Sequence, residues 1–391
     1  MEKTWRWFGK KDTITLQMLR QIGVEGIVTA LHAIPKGEIW TLEPILELKQ
    51  YIEAAGLRWS VVESLPVSEA IKYAGEERDR LIENYKISLA NLGKAGIKTV
   101  CYNFMPVIDW VRTDLDHLLE DGSSSIYFDK IRFAYFDCCI LKREGAENDY
   151  TYEEMLRVRE LDKVITDREK DILIDTIIVK TQGFIDGNIK EGERNPVAIF
   201  KRLLALYEGI DKEMLRRNMQ YFLEQIMPVC DEYGVDMCVH PDDPPWHLFG
   251  LPRIVGGRDD ICRVLKAVDN PHNGLTFCAG SLSAGLHNDL PQLAEEFASR
   301  THFVHLRSTH VFENGDFIEA SHLEGRGHLI ELVRIFEKKN PGLPMRVDHG
   351  RLMLDDKDKN YNPGYSFHGR MFALAQMDGV IATVKNELQR N

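Results

Sequence analysis

The sequence predicts an α/β protein, a closed (β/α)₈ TIM barrel carrying one long insertion between its fourth and fifth strands. Three observations carry this: eight short β-branched or aromatic runs, helical patterns between most of them, and no glycine-rich phosphate loop after the first run. A doubly wound sheet needs such a loop, and Gly9-Lys10-Lys11-Asp12 is not one.

The strand runs are Thr4 to Phe8, Gly26 to Leu31, Arg58 to Glu63, Thr99 to Phe104, Val235 to His240, Leu275 to Cys278, His302 to Leu306 and Met345 to His349. Each is almost continuously apolar, as strands buried on both faces must be. Helical periodicity falls over Leu42 to Ala55, Glu76 to Ala95, Lys212 to Tyr233, Arg258 to Val268, Asp289 to Ala298 and Leu329 to Lys339. Such a barrel needs roughly 250 residues, so 391 residues leave room for an addition to one catalytic domain spanning 1–391. The stretch 105–234 is too long for an ordinary connection and reads as a helical insertion. Within it Asp109 to Ile140 carry the loop-like Asp121-Gly122-Ser123-Ser124-Ser125, and Thr151 to Ile189 read as a surface helical excursion.

Composition excludes several function classes. With 44% hydrophobic and 28% charged residues the chain can bury a large core, and no apolar run reaches bilayer-spanning length. A net charge of -12 without a basic stripe argues against a nucleic-acid partner, but allows a positive pocket for a small acid. Seven cysteines without a CxxC pair point to reduced thiols, and Met1 to Trp7 lacks a signal pattern, so a cytoplasmic location is expected.

In a barrel of this kind the strand C-termini share one face, where catalytic groups gather. The strand ends here are Arg6, Thr29, Glu63, Asn103, His240, Cys278, His305 and Asp348-His349, a dense polar set where buried strands should finish apolar. His240, Cys278, His305 and Asp348 are competent ligands for a divalent transition metal, one from each of four strands, separated by 38, 27 and 43 residues. Taken alone, Cys278 is more often a core residue, His305 a buried hydrogen-bonded histidine and Asp348 a turn cap. Coincidence at corresponding positions shifts the reading to a metal site. Glu63 and Asn103 are placed to meet substrate hydroxyls or to support a ligand. The remaining histidines fall in loops or helices, and Cys138-Cys139 read as packing.

The runs Thr4-Trp5-Arg6-Trp7, Trp59-Ser60-Val61-Val62-Glu63-Ser64, Val100-Cys101-Tyr102-Asn103-Phe104-Met105-Pro106, His240-Pro241-Asp242-Asp243-Pro244-Pro245, His305-Leu306-Arg307-Ser308-Thr309 and Asp348-His349-Gly350-Arg351 closely resemble the mannonate dehydratases of the UxuA type, nearly end to end. The resemblance implies a xylose-isomerase-like barrel and Mn(II) or Fe(II) on those four ligands. It also implies loss of water from D-mannonate to give 2-keto-3-deoxy-D-gluconate in hexuronate breakdown. It marks His349 and Tyr365 as the acid and base. Tyr365 is the expected base at C2, with a cation such as the metal, Arg307 or Arg351 to ease its ionisation, and His349 the acid at the C3 hydroxyl. The reverse pairing is left open. Arg6, Asn103, Arg307 and Arg351 are the expected substrate contacts, and a homodimer or higher homo-oligomer the expected assembly. The nearest alternative is a metal-dependent sugar isomerase or epimerase on the same barrel, which would normally show more carboxylate ligands. One departure stands in His322-Leu323-Glu324-Gly325-Arg326-Gly327-His328, where relatives carry an acidic stretch.

Overall fold

In the computed structural model, which describes residues 1–183, 189 and 192–390, eight parallel strands close a barrel. They are β1 (Glu2–Arg6), β2 (Gly26–Thr29), β3 (Arg58–Glu63), β4 (Thr99–Tyr102), β7 (Asp236–Val239), β8 (Asn273–Cys278), β9 (Thr301–His305) and β12 (Pro344–Arg346), joined in the order β1-β12-β9-β8-β7-β4-β3-β2. Between them run four shorter strands: β5 (Asp114–Leu118), β6 (Ser124–Phe128), β10 (Ser308–Val311) and β11 (Phe317–Ala320).

Eight helices ring the barrel: α1 (Leu16–Gln21), α2 (Leu42–Ala54), α3 (Arg78–Lys94), α4 (Lys212–Tyr233), α5 (Arg258–Ala267), α6 (Leu290–Phe297), α7 (Leu329–Lys339) and α8 (Phe367–Arg390). Their apolar faces and the outward side chains of the strands form one continuous core. Inside the barrel Val28, Val61, Cys101, Cys238 and Phe303 make a separate plug, where two small thiols suit the narrow interior. The α4 helix shows how local sequence sets an element. Asp211 accepts a hydrogen bond from Met214 N at its start, and Gly234 closes it in the left-handed region, turning the chain into β7.

The segment between β4 and α4 differs from the helical reading. It contains helices at Lys130–Tyr135, Tyr152–Asp162, Asp167–Ile174 and Pro196–Ala205, but also the β5-β6 hairpin around Asp121-Gly122. That hairpin joins β10 and β11, which follow the seventh barrel strand, in an antiparallel sheet ordered β10-β11-β6-β5. Both contributing loops leave the C-terminal ends of barrel strands, so the small sheet flanks the barrel mouth. Behind it lies a second apolar core, with Phe128 stacked on Phe317 at 5.1 Å. The excursion expected over 151–189 falls partly outside the described residues. Its described helices are not merely superficial, since Met155, Val158 and Leu173 are buried in that second core.

Candidate metal centre and active site

Because the barrel strands are parallel, their ends bring distant residues to one place. His240 follows β7, Cys278 ends β8, His305 ends β9 and Asp348 lies two residues past β12. His240, Cys278 and His305 offer ligand atoms that all lie within 4.8 Å of one another. His240 Nε2 is 3.2 Å from His305 Nδ1. Asp348 stands at the edge of this trio, with Oδ2 3.8 Å from both Cys278 Sγ and His305 Nδ1. Its backbone is left-handed, φ 60°, a conformation aspartate tolerates better than most residues and one that recurs at functional sites.

The donor set fits a divalent transition metal. His240 Nδ1 lies 2.7 Å from Pro241 O, so the Nδ1 proton goes to the carbonyl and Nε2 is the nitrogen that faces the centre. His305 Nε2 faces Arg346 Nε at 3.1 Å and Glu63 Oε1 at 3.6 Å. Nε2 thus accepts from Arg346, and Nδ1, which faces His240 Nε2 at 3.2 Å, is the nitrogen that would meet a metal. Burial pushes the Cys278 thiol up, but Arg307 and His240 outweigh it and hold the thiol well below its ordinary value. Burial pushes His240 down, and the Cys278 thiolate overcomes this and lifts it to about 10. The arrangement is a buried thiolate facing an imidazolium, in which a cation can take the place of the proton.

A balanced charge network surrounds the ligands. Four guanidiniums, Arg6, Arg112, Arg307 and Arg346, meet four carboxylates, Glu63, Asp243, Glu319 and Asp348, all almost fully buried. Removing one partner strands a buried charge, so the network fixes the site's geometry. Arg346 bonds both Glu63 and Asp348. Arg307 lines the cavity, yet its Nε holds Asp348 at 2.7 Å, Nη1 holds Glu319 at 2.8 Å and Nη2 holds Asp243 at 2.8 Å. It braces the ligands rather than presenting spare donors.

His349 and Tyr365 face the same cavity. Both Glu319 oxygens lie 2.9 Å from His349 Nδ1, which therefore carries the ring proton, and Nε2 points toward Asp348 Oδ1 at 3.6 Å. The Tyr365 hydroxyl lies 3.5 Å from Asp348 Oδ1, and its ring meets that of His349 edge-on at 5.0 Å. Burial pushes the phenol up to about 12, with Arg346 opposing. The cations over its ring are Arg370 at 5.0 Å and Arg346 at 6.0 Å, not the expected Arg307 or Arg351. Gly364 makes room for the pair, since a Cβ there would sit 2.8 Å from the His349 ring.

Of the expected substrate contacts, Arg6 and Asn103 line the cavity. Arg6 is 5% exposed, pairs with Glu63 at 3.1 Å and keeps its Nε without a hydrogen-bond partner. Arg351 is not brought there. It pairs with Asp121 at 3.0 Å and lines a neighbouring pocket. Lys36, Lys72, Asp109 and Trp110 complete the wall. Burial raises Asp109 from its ordinary value, with His240, Arg253 and Lys72 opposing. Sequence reasoning missed Arg346, Glu319, Arg112 and Asp109. Arg346 left a signal, a charge inside the buried run Met345 to His349, whereas Glu319 left none beyond an acid in a short apolar stretch.

The model of the family described as D-mannonate dehydratase (UxuA) matches residues 1–391. The chain belongs to that family. Among curated mannonate dehydratases, one from Marinomonas sp. is 46% identical, the alignment covering 99% of this chain and 100% of the relative. One from Saccharophagus degradans is 44% identical, covering 97% of each. The crystal structure of mannonate dehydratase from Streptococcus suis serotype 2 superposes with a TM-score of 0.80 at 34% identity, covering 99% of this chain and 96% of that one. A D-psicose 3-epimerase from Clostridium cellulolyticum H10 shares the barrel fold, with a TM-score of 0.54 at 11% identity.

Proposed function

We propose that the chain removes water from D-mannonate to give 2-keto-3-deoxy-D-gluconate, the hydro-lyase reaction of its family, in hexuronate breakdown. The observation that carries this reading is a thiolate-bearing donor cluster beside the His349–Glu319 pair in one cavity at the barrel mouth of a member of that family. Mn(II) or Fe(II) is the proposed metal, on His240, Cys278, His305 and Asp348. When bound it supplies Lewis-acid stabilisation of the negative charge that develops next to the substrate carboxylate.

Dehydration needs a base for the weakly acidic C2 proton and an acid for the departing C3 hydroxyl. The geometry favours the reverse of the expected pairing. His349, with its Nδ1 proton fixed on Glu319, offers Nε2 as the acceptor of the C2 proton. Tyr365, held at about 12, stays protonated at neutral pH and is the donor to the leaving hydroxyl. Arg6, with its unused Nε, is suited to the substrate carboxylate. Loss of the hydroxyl leaves an enol, which tautomerises to the 2-keto acid.

The same reading takes 1–391 as one catalytic unit whose insertion, 105–234, serves the site through Asp109 and Trp110. Among the described residues no helix is long and apolar enough to cross a membrane. A cytoplasmic location, a small sugar acid as the partner and assembly as a homodimer or larger homo-oligomer complete the proposal. Incubation with D-mannonate and Mn(II) or Fe(II), followed by assay for a 2-keto-3-deoxy acid, tests it. Formation of that acid is expected, and no product with either metal overturns the reading.

A further inference from the structure

Four carboxylates border the cavity: Glu63, Asp109, Asp243 and Asp348. Three are ion-paired, Glu63 with Arg6 and Arg346, Asp243 with Arg112 and Arg307, and Asp348 with Arg307 and Arg346. Among the described residues Asp109 enters no ion pair. The hydrogen bond to its carboxylate comes from a neutral amide, Asn103 Nδ2 to Oδ2 at 2.6 Å.

The backbone that carries Asp109 is fixed from two sides. Asp109 N donates to Gln182 Oε1 at 3.0 Å, and Gln182 Nε2 donates to Trp110 O at 2.8 Å. Arg253 Nη2 donates to Ile108 O at 3.0 Å and to Asp109 O at 3.1 Å. Gln182 is 4% and Arg253 2% exposed, so these clamps are part of the interior. A preorganised segment thus holds a half-buried, unpaired carboxylate against the cavity. Such a group costs stability unless something satisfies it, and local violations of this kind concentrate where a ligand binds.

The charge of the substrate makes this placement informative. An acid's carboxylate is drawn to Arg6, Lys36 and Lys72 on the same wall, and a bare carboxylate repels it. Hydroxyl groups do the opposite, because they donate to a carboxylate strongly. We propose that Asp109, held by Asn103, accepts hydrogen bonds from hydroxyls of the substrate's polyol chain and selects a singly charged aldonate over the doubly charged aldarate of the same configuration. This rests on the dehydratase reading above. It assigns to the insertion a part in specificity, since Asp109 and its clamp Gln182 both lie between β4 and α4.

Asp109→Asn keeps the side-chain shape and removes the charge. Wild type, Asp109→Asn and Asp109→Glu, each loaded with Mn(II), are compared on D-mannonate and on the aldarate bearing a carboxylate at C6, with metal content measured for each. Wild type is expected to favour the aldonate strongly. Asp109→Asn is expected to lose roughly 10- to 100-fold in kcat/KM on the aldonate, mainly through KM, with unchanged metal content and a narrower aldonate-to-aldarate ratio. Asp109→Glu, which restores the charge, is expected to restore discrimination. Unchanged kcat/KM in Asp109→Asn, equal wild-type activity on both acids, or loss of metal from Asp109→Asn overturns the proposal. A wild type inactive on D-mannonate defeats the dehydratase reading itself, and that is seen before any variant is compared.

Discussion

At the scale of single residues, Cys278 adds a thiolate to a histidine pair, and on the proposed reading this makes the cluster a site for a transition metal. Its thiol is held as thiolate by Arg307 and His240 against the pull of burial. Cys278→Ser exchanges that anion for a neutral hydroxyl, and metal titration should show more than about 10-fold weaker binding. Unchanged affinity would remove Cys278 from the ligand set. His349→Asn and Tyr365→Phe test the acid-base pair. Each should keep its metal and lose roughly 10²–10⁴-fold in kcat, and normal turnover in either would refute the role given to it. Glu319→Gln probes the same pair one step back, because it removes the charge that fixes the His349 proton on Nδ1. Its kcat should fall while the aldonate KM stays near the wild-type value, and the opposite split would deny it a positioning role.

Among the elements, α8 packs closely against the loop after β12 that bears His349 and Tyr365. A Cβ at Gly350 would lie 2.6 Å from Arg370 N and 2.7 Å from Gly369 C, backbone atoms that cannot step aside. Gly350→Ala should therefore cost about 1–3 kcal/mol, read as a lower Tm. Gly379, on the same helix, has nothing within 4 Å of a built Cβ. Gly379→Ala should raise stability by about 0.5–1 kcal/mol, and equal effects of the two changes would discount the close approach. Legibility divides along the same lines. The eight barrel strands were readable because each is an apolar run of its own, and α4 and α7 begin and end where their periodicity does. The small sheet was not readable. β5 is Asp-Leu-Asp-His-Leu, with weak strand character, and β6 pairs with β11 across about 190 residues of chain, a contact no local pattern encodes. Glu319 rides on β11 and was hidden with it, whereas the ligands were visible because strand ends can be listed without knowing any loop.

For the molecule as a whole, buried carboxylates tie stability to pH. Glu69, bonded to Lys72 at 2.8 Å and to the Tyr207 hydroxyl at 2.6 Å, and Glu319, paired with Arg307 and Arg112, are both held at about 2, the pull of their cations exceeding the push of burial. Because these folded values lie below the ordinary glutamate value of about 4.3, the stabilisation is complete above that pH. It is lost as pH falls toward 2, where the unfolded chain binds more protons. Thermal unfolding should show Tm falling steadily from about pH 5 to pH 3, and a flat or rising profile there would contradict the assignment. The loss should shrink in Glu69→Gln.

The pairing of β6 with β11 also has a meaning in time. At a synthesis rate of roughly 5–20 residues per second, Phe317 leaves the ribosome some ~10–40 s after its partner Phe128. Through that interval the inner rim of the β5-β6 hairpin has no neighbour, while the outer rim carries Asp114, Asp116 and His117, charged or polar groups that discourage docking by another nascent chain. Glu319 arrives only with β11, and Asp348 and His349 later still, so the His240, Cys278 and His305 donors at the ends of β7, β8 and β9 are synthesised before the aspartate and the imidazole proposed to complete the site. On the proposed roles, three of the four metal donors are synthesised before either member of the acid-base pair, His349 and Tyr365.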